Sequence, residues 1–176
     1  MKLIRLSAYV IGGAIIIAIA VFIIAYVWIY VVSNKTNDGK EMGMTFPNQG
    51  QQHIEVGATH AAYNSNPPTS GPHYVLPAKW GVYRYELPDE QLVHNLEHGG
   101  IWISYNQTVA SGTIEKIETL AAQYPDKIIV EPRAKDDSLI MLASWTRLLS
   151  LTEFDENTIL NFIKLNKNKS PEPNAQ

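Results

Sequence analysis

The sequence predicts an α+β protein: a single transmembrane helix, then one extracytoplasmic domain with a mixed sheet, two helices and a long irregular N-terminal half. Three observations carry that reading. Residues 6–32 hold no charge and are filled by Ile, Val, Ala, Phe and Tyr. Residues 51–99 are crowded with Pro, Gly, Asn, Tyr and His and show little periodicity. From Gly100 onward, apolar residues recur first at strand spacing, then at helical spacing, then at strand spacing again. The chain therefore divides into an anchor over 1–33, a flexible stalk over 34–50, the domain over 51–169 and a disordered tail over 170–176.

The apolar run is long enough to cross a hydrocarbon core and about twice the length of a signal-peptide core. Lys2 and Arg5 precede it, which places the N-terminus in the cytoplasm and the C-terminal domain outside the cell membrane. Asn34 to Gly50 is polar and Gly-containing, without hydrophobic period, and reads as linker. Within the domain, His53 to Gly57 and Val82 to Tyr85 suit short strands. Between them, Asn66-Pro67-Pro68-Thr69-Ser70-Gly71-Pro72 cannot be regular structure, because its prolines lack donors and fix φ.

Ile101 to Tyr105 is a strand. Ser111-Gly112-Thr113 opens a helix to about Gln123, with Ile114, Ile117, Leu120 and Ala121 on one face. Lys127 to Glu131 and Leu139 to Trp145 are two more strands, and Asp155 to Lys167 is a closing amphipathic helix. Strand, helix, strand implies a parallel crossover. The polar turn Ala134 to Ser138 implies an antiparallel hairpin between the second and third of these strands.

Composition narrows the function. The chain of 176 residues carries 14 Lys+Arg against 17 Asp+Glu, which argues against a nucleic-acid partner. No Gly-rich loop leads from a strand into a helix, so no nucleotide site is expected. There is no cysteine, which removes thiol redox chemistry, iron–sulfur clusters and Cys-ligated zinc. All five histidines, His53, His60, His73, His94 and His98, fall in the irregular half. In a cysteine-free domain, clustered imidazole is the natural ligand set for copper or zinc. In His94-Asn95-Leu96-Glu97-His98, a helical turn would put His94 and His98 on one face, a chelating pair. The string also fits the H-x-x-E-H protease pattern, but Gly99-Gly100 ends the helix at once and the required helical context is missing. Met42 and Met44 could add soft donors but suit an inert linker better.

Pro68-Thr69-Ser70-Gly71-Pro72-His73 and His94-Asn95-Leu96-Glu97-His98-Gly99-Gly100, with Trp80-Gly81-Val82-Tyr83 between them, resemble a bacterial membrane-anchored family, domain of unknown function 3105. The resemblance implies one membrane span, an extracytoplasmic domain, and His73, His94, Glu97 and His98 as the defining polar residues. Where the family shows Ala-Trp-Gly-Arg, this chain has Ser144-Trp145-Thr146-Arg147. It carries no activity across.

The expected function is metal handling by a membrane-anchored protein, with copper first and zinc second. The ligands would be His73, His94 and His98, with His60 as a fourth and Glu97 as ligand or neighbour. The partners would be the membrane and a possible membrane protein. Two alternatives stand beside it: a metal-dependent or acid–base hydrolase of the cell envelope with Glu97 as base, and a non-catalytic interaction module braced by structural histidines.

Overall fold

The structure, a computed structural model, describes residue 19, residues 21–27 and residues 41–175. The chain divides into two compact units, Met1–Lys40 and Glu41–Gln176. In the first, residues 21–27 are helical. The expected transmembrane helix is corrected here: among the described residues no helix is long and apolar enough to cross a membrane. The remainder of the anchor, and residues 34–40 of the expected stalk, lie outside the described residues.

The second unit is α+β with a mixed six-stranded sheet, as the strand–helix–strand pattern predicts. In chain order its elements are β1 (Met44–Thr45), β2 (His53–Ile54), β3 (His73–Tyr74), β4 (Gly81–Val82), α1 (Asp89–Glu97), β5 (Ile101–Tyr105), α2 (Ser111–Ala121), β6 (Ile128–Pro132), β7 (Ile140–Ser144), β8 (Arg147–Leu151) and α3 (Glu156–Asn166). The sheet runs β1-β8-β7-β5-β6-β4, and β2 and β3 form a separate parallel pair. β4, β6 and β5 are parallel, and β7, β8 and β1 continue antiparallel.

Every residue of β5 is buried because both sheet faces are covered. Ile101, Ile103 and Tyr105 point into one core with Ile117 and Leu120 of α2 and Ile159, Phe162 and Ile163 of α3. Trp102 points the other way, with Ile129, Met141 and Ala143, against Leu92, Val93 and Leu96 of α1. Asp155 caps α3, accepting from the Thr158 amide at 3.1 Å.

Three departures from expectation have physical causes. Three helices rather than two pack on the sheet, because α1 runs nine residues from Asp89 and is not limited to the His94–His98 turn. Asp89 and Glu90 in its first turn complement the helix dipole.

The expected hairpin between β6 and β7 does not form, and β7 pairs with β5 instead. The connecting segment is tied across the end of β5: the Arg133 amide donates to the Tyr105 carbonyl, Ser104 Oγ donates to Asp136 at 2.6 Å, and the Asn106 amide donates to the Leu139 carbonyl. The true hairpin is β7–β8, turning on Trp145 and Thr146.

Residues 41–50, expected in the stalk, belong to this unit. β1 pairs with β8, Met42 exchanges two hydrogen bonds with the Asn166 side chain, and the Gln49 amide donates to Ser70 Oγ. The tail is likewise held, with the Glu172 amide on the Glu97 carbonyl at 3.1 Å.

Candidate metal centre

Two elements deliver the histidines. α1 buries Leu92, Val93 and Leu96 in the core and so turns His94, Glu97 and His98 toward the β2–β3 pair. In that pair His53 and His73 are direct partners, so the two rings meet although twenty positions separate them. The loop before β3 is fixed by backbone: the Gly71 amide donates to the Gly50 carbonyl, the His73 amide donates to the Gln52 carbonyl, and Tyr63 OH donates to the Pro72 carbonyl. Gly71, at φ +123°, passes so close to the Tyr63 ring that an added Cβ would sit 3.1 Å from it. His73 is then fully buried.

The result is a group of four residues, His53, His73, His94 and Glu97, each offering one donor atom, with all four donors within 4.8 Å of one another. His53, His73 and His94 pack ring to ring, at centroid separations of 4.9 to 5.0 Å. Such a group could hold a metal ion.

Hydrogen bonding fixes the tautomers. His73 Nδ1 lies 2.8 Å from the Gly71 carbonyl and His94 Nδ1 lies 2.6 Å from the Tyr74 carbonyl. A carbonyl only accepts, so both Nδ1 atoms carry a proton, and in the neutral rings both Nε2 lone pairs face inward. This is the arrangement of metal-ligating histidines, whose second nitrogen donates to a backbone or carboxylate oxygen. His73 Nε2 faces Glu97 Oε2 at 3.0 Å, and His53 Nε2 lies 3.8 Å from the same oxygen. A lone pair facing a carboxylate oxygen at that range calls for a cation between them, a proton or a metal. Glu97 Oε1 accepts from the Gln51 side-chain amide at 2.7 Å, which orients the carboxylate.

Burial holds the His94 and His98 imidazoles below the usual histidine range. Burial thus favours the neutral ring, the form in which an imidazole nitrogen can take a metal.

Of the residues expected from sequence, the structure brings His73, His94 and Glu97 together. His98 sits beside them, its Nε2 3.0 Å from His94 Nε2, and falls in an adjoining group with Glu97 and Glu172. His60 does not join: its Nδ1 donates to the Ala61 carbonyl and its Nε2 lies 3.2 Å from Glu90. Met42 packs against the α2–α3 core and Met44 is exposed in β1, so neither methionine belongs to either group. Sequence reasoning missed His53 as a member of the first group, Gln51 as the side chain that orients Glu97, and Glu172 in the second group.

The family described as Protein of unknown function (DUF3105) matches residues 53–176, a span that contains every residue of both groups. A comparison with curated proteins and one with solved structures found no match.

Proposed function

The chain belongs to the family of unknown function DUF3105, and we propose that its domain binds a divalent transition metal at His53, His73, His94 and Glu97, Cu²⁺ ahead of Zn²⁺, and serves in metal handling. One observation carries the reading: the buried imidazoles of His73 and His94 are locked at Nδ1 by carbonyls, His73 Nε2 faces a Glu97 oxygen at 3.0 Å, and His53, His73, His94 and Glu97 each offer a donor within 4.8 Å of the others. Three imidazoles and a carboxylate suit both ions, and the ordinary affinity order places Cu²⁺ above Zn²⁺. The absence of sulfur at the group argues for the cupric over the cuprous ion.

Handling is favoured over hydrolysis by the state of Glu97. Glu97 is 1% exposed, with one oxygen held by Gln51 and the other facing His73, which suits a ligand better than a free base.

The test is titration of the metal-free chain with Cu²⁺ and with Zn²⁺ against a competing chelator. His73→Ala and His94→Ala should each abolish the tightest binding, whereas His60→Ala should leave it unchanged. Equal binding by all four proteins would overturn the assignment.

A further inference from the structure

We infer that the domain holds a second divalent-cation site, formed by His98 and Glu172 and joined to the first through the shared carboxylate of Glu97. The inference rests on the metal reading above and extends it to a two-ion centre. Glu97, His98 and Glu172 each offer one donor within 4.8 Å of the others. His98 is only 7% exposed, its Nε2 lies 3.8 Å from Glu172 Oε2, and its Nδ1 is buried with no hydrogen-bond partner among the described residues.

The C-terminal segment is built to bring Glu172 there. Its amide donates to the Glu97 carbonyl at 3.1 Å, and Lys127 Nζ ties the His98 carbonyl, at 2.6 Å, to the carbonyls of Pro173 and Ala175. The segment is thus fixed to the C-terminal end of α1, where the histidines lie.

The contact between His94 and His98 links the two sites. Their Nε2 atoms are 3.0 Å apart, and His94 already carries its proton on Nδ1. In the ion-free chain the proton between them therefore belongs to His98. If an ion takes the His94 lone pair, the acceptor is removed, and the His98 Nε2 proton must leave or shift to Nδ1 before Nε2 can serve the second site. Glu172 and the far side of Glu97 supply its other ligands, with the second cation between them. The second site, with one imidazole and two carboxylates, is harder than the first, so Zn²⁺ is the suitable probe.

The full chain is loaded with Zn²⁺ under dialysis, and bound metal per chain is counted for wild type, Glu172→Gln and His98→Ala. Glu172 is half-exposed, so its amide variant should fold as wild type does, checked by its melting temperature. Two equivalents in wild type, the second weaker, and one in each variant is the expected result. One equivalent in wild type, unchanged by Glu172→Gln, overturns the second site and leaves the first. Two equivalents in both wild type and Glu172→Gln also overturn it. No bound metal in any of the three overturns both readings.

Discussion

Gln51 lies two residues before the matched family span, and nothing in its sequence context marks it. Yet its amide holds Glu97 Oε1 at 2.7 Å and so aims the other oxygen at His73 and His53. Groups that orient a ligand typically contribute about 10–100-fold in metal affinity. Gln51→Ala should therefore weaken Zn²⁺ binding by about tenfold in chelator competition while leaving the stoichiometry intact. An unchanged affinity would show that the carboxylate needs no orienting. A second residue acts away from the centre. Glu131, on the α1 side of the sheet, is fully buried, and burial pushes its carboxyl up to about 8, partly offset by the Leu87 amide donating to it. The native state then binds the extra proton between about 4.5 and about 8. The stability from this group is complete below its unfolded value and is lost as pH rises through 8. Glu131→Gln keeps an acceptor for Leu87 and removes the titration. Unfolding free energies from urea titrations at pH 5 and pH 9 should fall with pH in wild type, by on the order of a few kcal/mol, and stay flatter in the variant. Identical slopes would place the titration elsewhere.

At the scale of elements, the end of α1 decides where the site stands. Gly100 N–H reaches the Asn95 carbonyl and Gly99 N–H reaches the Leu96 carbonyl, both at 2.9 Å, with Gly99 at φ +81°, the Schellman closure. A Cβ on Gly99 would also lie 2.8 Å from the Asn168 backbone. Gly99→Ala should cost at least about 1–2 kcal/mol in chemical denaturation, and a loss below that would show that the backbone relaxes. The reverse case is Thr146, at φ +60° in the β7–β8 turn, where the resembled family carries glycine. Removing the left-handed penalty of about 1–2 kcal/mol, against a glycine cost of about 0.5–1 kcal/mol, predicts a gain of up to about 1.5 kcal/mol for Thr146→Gly. A lower midpoint would mean that the Thr146 side chain contributes more than its backbone strain costs.

These elements also show what was legible in the sequence. The His94–His98 spacing and the double glycine predict one helical face and its stop, and both are local. The pairing of His53 with His73 is not local. Two-residue parallel strands joined by an irregular loop carry neither a turn signal nor an alternation, so His53 was invisible as a ligand. The β6–β7 hairpin failed for the same reason, since ties between Asp136, Asn106 and β5 appear only in three dimensions.

Across the whole domain, the two halves of the sequence are joined by the centre. The regular half supplies the sheet and a core closed on both faces. The irregular half supplies β2, β3 and the loop before them, held by a few backbone hydrogen bonds and by residues 41–50. A segment with so few ladder bonds should open without global unfolding. Four donors on β2, β3 and α1, drawn onto one ion, would close that route, because opening would then require the ion to leave. Metal that binds only the closed form stabilises it by RT ln(1 + [L]/Kd), about 2.7 kcal/mol at a hundredfold excess over Kd. Amide exchange should therefore be faster across residues 51–74 than across β5 to β8 in the metal-free chain. It should slow by about a hundredfold on adding Zn²⁺ at that excess, until the two halves exchange together. His73→Ala should keep the fast phase at any Zn²⁺ concentration. If residues 51–74 are already as protected as the sheet without metal, the loop bonds alone hold the irregular half. The histidines would then serve the ion and not the fold.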